Sequence, residues 1–109
     1  MYYLTDTHVE NGCLRVIPQS HKRRSDLHEQ LGKGHDSNIR TLNDYSHPAF
    51  SPHTEQVDIP VKAGDVAGGD ARLLHSAHPN RTQQRRTVLT LWYLPRYDEA
   101  SARGPILRH

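Results

Sequence analysis

Nine histidines and a scatter of arginines are where this 109-residue sequence could do chemistry. A neutral imidazole is a good ligand for Fe(II) or zinc, and it takes up a proton near neutrality. A guanidinium fork grips a carboxylate through two parallel hydrogen bonds. His75 and Arg86 stand eleven residues apart in Arg72-Leu73-Leu74-His75-Ser76-Ala77-His78-Pro79-Asn80 … Arg85-Arg86-Thr87. By spacing alone they read as a satisfied core histidine and a surface cation laid along its own apolar stem. An arginine aimed into an apolar interior without an anion would be costly. His75 and His78 make no zinc half-site on a strand, because residues three apart face opposite sides. His21, His28 and His35 recur every seven residues, but Gly32 and Gly34 break any helix, so they read as solvated loop. Cys13 has no His or Asp placed beside it by sequence and reads as strand packing. Asn80-Arg81-Thr82 has glycosylation spacing and reads as a turn.

Those groups need elements to hold them, and three zones supply the candidates. Tyr2 to Pro18 reads as two strands joined by a tight turn at Asn11-Gly12: Tyr2-Tyr3-Leu4-Thr5, then Cys13-Leu14-Arg15-Val16-Ile17. Gln19 to Gln56 is polar and broken by glycine and proline. It predicts a long loop with one short helix over Ser25 to Leu31, stopped by Gly32. Val57 to Leu94 carries the remaining strands. Val57 to Val61 alternates, with Pro60 at a sheet edge or strand end. Ala63-Gly64-Asp65 turns the chain into Val66-Ala67, Leu73 to Ala77 follows, and Thr87 to Leu94 is expected to be the longest and most apolar strand. Strand parity then puts Leu73, His75 and Ala77 on one face, and Arg86, Val88, Thr90 and Trp92 on one face of the next strand. Residues 1–97 are expected to form the domain, 19–56 its loop region and 98–109 a loose tail.

Composition excludes several classes. Fourteen basic against twelve acidic residues leave a net charge of only +2, so self-repulsion does not hold the chain open. The basic clusters, Lys22-Arg23-Arg24 and Arg85-Arg86, have no interleaved aromatics, which argues against nucleic acid as a partner. No apolar run approaches the roughly 20 residues of a membrane span. A single cysteine excludes a disulfide scaffold and fits a reducing compartment. With no targeting segment in view, cytoplasm is the expected location.

The blocks Asp6 … Glu10-Asn11-Gly12-Cys13-Leu14-Arg15-Val16-Ile17-Pro18 … Ser20-His21, and then Ala63-Gly64-Asp65 … Leu73-Leu74-His75 … Arg86 … Trp92-Tyr93, follow one another in a recognisable order. They resemble the C-terminal part of the phytanoyl-CoA dioxygenase family, non-haem Fe(II)- and 2-oxoglutarate-dependent oxygenases. The resemblance runs from Tyr2 to about Tyr97, apart from the middle loop. It implies that His75 is an iron ligand and that Arg86 binds the far carboxylate of 2-oxoglutarate. It implies an all-β fold, the double-stranded β-helix (jelly roll, cupin-like). It also implies O2 and a small organic molecule as substrates, with release of succinate and CO2, and ascorbate as an activator.

The sequence departs from that family in one serious respect. The family's iron site takes its other histidine and its carboxylate from a His-x-Asp motif ahead of the first matching block, and no His-x-Asp occurs here. Asp6-Thr7-His8 has the reverse order. His53-Thr54-Glu55 has the pattern with Glu for Asp, but it follows the first two strands. The expectation is therefore a C-terminal piece of such an enzyme, inactive alone, with about six of the jelly roll's eight strands. Strands III to VIII would keep the orders VIII-III-VI and VII-IV-V, with edges at VIII and VII open to self-association. Pro18-Gln19-Ser20-His21 also has Gln where the family has Gly, which would alter that turn. The other reading is a non-catalytic jelly-roll module that binds a small anion or a protein partner.

Overall fold

The computed structural model describes residues 1–31 and 46–93. Five short strands carry it: β1 (Tyr2–Tyr3), β2 (Leu14–Val16), β3 (Val57–Ile59), β4 (His75–Ala77) and β5 (Val88–Leu89). One helix, α1 (Asp26–Leu31), lies where the sequence places it, and 3-10 turns occupy Val9–Asn11 and Pro48–Phe50. All pairings are antiparallel. β1 pairs with β5, and the second sheet has the order β3-β2-β4. Single bridges join Tyr2 to Val66 and Thr7 to Val61. The described residues are thus mainly sheet, as the all-β expectation requires. Their neighbour relations follow the two strand orders expected from the sequence. The segment Val66-Ala67, β1 and β5 adjoin in one group, and β3, β2 and β4 in the other. The Gly32 helix stop, His35, Leu94 and the tail fall outside the described residues.

The first two strands meet at Asn11-Gly12 without pairing, because they belong to different sheets. Buried Asn11 decides this locally. Its Oδ1 accepts from the His8 N–H at 2.7 Å, and its Nδ2 donates to the Asp6 carbonyl at 2.9 Å. These bonds hold a 3-10 turn in place of a two-residue hairpin loop. Gly12 then takes φ +98°, and a Cβ there would meet the His78 carbonyl oxygen at 2.7 Å. Only glycine meets both demands. Pro60 performs a similar crossing: it ends β3, and Val61 immediately bridges to Thr7.

The last strand is shorter than the sequence suggests. Its ladder covers only Val88 and Leu89, because β1, its one strand partner, is two residues long. Leu91 and Trp92 beyond it are about half exposed, at 55% and 54%. Val66-Ala67 likewise makes one bridge to Tyr2, and Leu73 to Ala77 narrows to β4.

Gln19 occupies the Pro18–His21 turn at a cost. It adopts φ +62°, the left-handed region that a side chain disfavours by about 1 kcal/mol or more. Among the described residues Gln19 is the non-glycine position that carries a left-handed φ, so the strain is borne there. Gln19→Gly is therefore expected to stabilise the chain by about 0.5–1 kcal/mol, since the relief exceeds glycine's entropy loss. Urea unfolding measures it, and equal midpoints would show that the turn carries no strain.

The buried apolar set is small: Tyr3, Cys13 and Ile17. Arg15 is buried beside it, at 6% exposure, in the centre of β2 between Asp58 and Ser76. Its Nε donates to Ser76 Oγ at 2.6 Å, and Nη2 donates to the Ala49 carbonyl at 2.8 Å. Longer bonds reach Phe50 and Gln56. One guanidinium thus fastens the 46–56 segment to the sheet. Burial draws its pKa below the usual range, against the nearby Asp58 charge.

On the same face, His78 Nε2 lies 2.6 Å from Asp58 Oδ1, and this bond leads in holding the Asp58 carboxyl below its ordinary value of 3.8. A depressed folded-state pKa adds stability that is present above the unfolded value and is lost as pH falls through the folded one. Acid unfolding of Asp58→Asn should accordingly be less steep below about pH 4 than that of the parent. Superimposable acid curves would show that the pair contributes nothing.

Candidate functional site

His75 opens β4 and pairs with Val16 of β2. Of the expected parity, β4 keeps His75 and Ala77 on one face with Ser76 on the other, while Leu73, Arg86, Thr90 and Trp92 lie outside the strands. That shared face is exposed, so His75 is no core histidine. Its Nδ1 sits 2.6 Å from the Leu73 carbonyl oxygen, which makes Nδ1 the protonated nitrogen. The Nε2 lone pair is then left for a ligand. A backbone acceptor that fixes the tautomer is the usual support of a metal-binding histidine. β4 pairs only with β2 among the described residues, so His75 stands on a sheet edge.

Arg86 enters just ahead of β5 and is half-buried. Its Nε is buried and has no hydrogen-bond partner among the described residues. A Cβ at Gly12 would lie 3.0 Å from that nitrogen, so the glycine makes room for the side chain. The positive charge is felt at Tyr3 and Cys13. Burial raises the pKa of both groups, and Arg86 pulls them back down. A buried donor without an acceptor asks for one, and an anion beside the guanidinium would answer.

The weaker candidates are all occupied. Asp6 accepts from the Ala63 N–H at 2.9 Å and from Lys62 Nζ at 3.0 Å, holding the turn at Gly64. His8 pairs with Glu10 at 2.7 Å. His53 Nδ1 accepts from the Glu55 N–H, and Glu55 accepts from Arg23. No group of three His, Cys, Asp or Glu side chains able to hold a metal occurs among the described residues. Neither His53 nor Glu55 therefore joins His75 in such a set. His78 faces away from His75, on Asp58, and Asn80 forms a turn by accepting from the Thr82 N–H at 2.9 Å. Cys13 is fully buried, and burial pushes its thiol up, which suits packing.

Sequence reasoning missed Ser20 as a positioning group. Its hydroxyl accepts from the Leu74 N–H at 2.7 Å, tying the Pro18–His21 turn to the residue before His75. The Pro-x-Ser-His block was the available signal. The solvated-loop reading of His21 and His28 also needs correction, because both are half-buried. No helix among the described residues is long and apolar enough to cross a membrane.

Comparison with known proteins gives a family. The chain is similar to a phytanoyl-CoA dioxygenase domain-containing protein 1 homolog of Caenorhabditis elegans, with 25% identity over 95 residues. The match covers 85% of this chain and 33% of that protein, so the chain spans about a third of its relative's length. No solved structure matches. The profile of phytanoyl-CoA dioxygenase (PhyH) matches residues 1–88, across both sheets and past Arg86, and the chain belongs to that family.

Proposed function

We propose that this chain supplies part of the active site of an Fe(II)- and 2-oxoglutarate-dependent dioxygenase, one that hydroxylates a small organic substrate and releases succinate and CO2. The observation that carries the reading is Arg86, half-buried with an unpartnered Nε, in a chain of this family. Arg86 would clamp the far carboxylate of 2-oxoglutarate, and His75 would offer Nε2 to the metal. Iron, held by a full ligand set, supplies the oxidising chemistry. This chain's residues contribute one donor, one anion clamp and the sheets between them. The described residues do not complete an iron site, since no three-donor cluster exists among them. Buried Cys13 suits a reducing compartment, and cytoplasm is the proposed location.

One donor does not hold Fe(II) against water and buffer. The 109-residue chain alone is therefore expected to give no succinate above the free-metal background in 2-oxoglutarate, Fe(II), ascorbate and O2. A polypeptide that places a His-x-Asp segment ahead of Met1 should show iron-dependent succinate. A folded longer polypeptide without turnover overturns the assignment. Turnover by the chain alone would make His53 and Glu55 the first residues to mutate. The single-partnered strands β4 and β5 are also proposed to pair with a second copy, which sedentary monomers across a hundredfold dilution series in sedimentation would refute.

A further inference from the structure

We propose that the cleft between the Ser20–His28 segment and Arg72 binds a phosphate-type dianion. The cleft is open, about 270 Å³ in volume, and its side chains are almost all nitrogen donors: His21, Lys22, Arg23, Arg24, His28 and Arg72. No carboxylate lines it. Two acids stand outside and each takes one cation. Glu55 accepts from Arg23 at 3.2 Å, and Asp70 holds Arg72 through two bonds, the shorter 2.7 Å. That leaves Lys22 and Arg24 without a carboxylate among the described residues, two positive charges on one cleft.

One of the two histidines adds a directed donor. His28 Nδ1 accepts from the Ser25 N–H at 3.0 Å, so its proton sits on Nε2, which donates. His21 Nδ1 is buried without a partner among the described residues, beside the cleft that the His21 ring helps to line. Two uncompensated cations on one cleft match a tetrahedral oxyanion with two charges better than a single carboxylate. No Phe, Tyr or Trp side chain lines the cleft. The site is distinct from Arg86 and needs no metal. It lies at the end of β4 that begins with His75, since Ser20 bonds Leu74 and Arg72 precedes His75 by three residues.

The test titrates the 109-residue chain by amide-resolved NMR at constant ionic strength, with inorganic phosphate, phenyl phosphate or chloride. Saturable shifts confined to residues 20–28 and Arg72 are expected with the phosphates. Arg24→Gln and Lys22→Gln should each weaken binding by about tenfold or more, the worth of a charge-assisted hydrogen bond. Arg85→Gln and Arg86→Gln should leave it unchanged, which separates this site from the cosubstrate clamp. Tighter binding of phenyl phosphate assigns the cleft to a substrate-borne ester, and tighter or equal binding of inorganic phosphate assigns it to the free ion; both uphold the dianion site. Shifts no larger than those with chloride overturn it, as does equal loss on Arg85→Gln or a collapsed spectrum without the cleft.

Discussion

Replacing His75 by alanine is expected to abolish iron-dependent turnover in a polypeptide that completes the ligand set ahead of Met1. The His75 imidazole has its Nδ1 committed to the Leu73 carbonyl, so Nε2 is the one nitrogen left to bind. Removing it leaves two donors of three. Groups that merely orient a ligand already contribute 10–100-fold, so losing the ligand should cost about a hundredfold or more. Anaerobic Fe(II) titration by absorbance, with 2-oxoglutarate present, reads the affinity, and succinate reads the turnover. The control is Asp58→Asn, which disturbs the His78 pair on the opposite face and should leave both readings near the parent's. Unchanged iron affinity in His75→Ala would remove this residue from the ligand set.

Arg86 should show its effect in cosubstrate affinity and leave iron affinity nearly alone. Arg86→Lys keeps the charge but loses the planar fork, so 2-oxoglutarate binding should weaken by about tenfold. Arg86→Gln removes the charge as well and should cost about a hundredfold, in line with the loss of hydrogen bonds between charged groups. Gly12 gives an independent check on the same side chain. A methyl at that position would sit 3.0 Å from Arg86 Nε and 2.7 Å from the His78 carbonyl. Gly12→Ala should therefore impair both folding and cosubstrate binding. If both Arg86 variants keep the parent's 2-oxoglutarate constant, the carboxylate is held elsewhere.

Much of this could be read from neighbours along the chain. Alternation placed the strand segments, Ser25 to Leu31 announced the helix, and Ala63-Gly64-Asp65 and Pro60 marked a turn and a strand end. The ordered blocks around Cys13 and His75 pointed to the family that the profile match establishes. These are statements about backbone preference over a few residues, and such preferences are local. Tertiary structure alone decided the rest. Residues far apart in sequence determine that Tyr2 pairs with Leu89, not with a hairpin partner. They also end the last strand after two paired residues. Burial of Arg15 depends on carbonyls that the 46–56 segment brings to it, and the strain at Gln19 depends on the turn that Ser20 secures to Leu74. His21 and His28 looked solvated because nothing nearby in sequence shows that Arg72 closes the other side of their cleft. Periodicity and turn chemistry are properties of one segment. Register, burial and the gathering of charge belong to contacts between segments, and only the folded chain makes those.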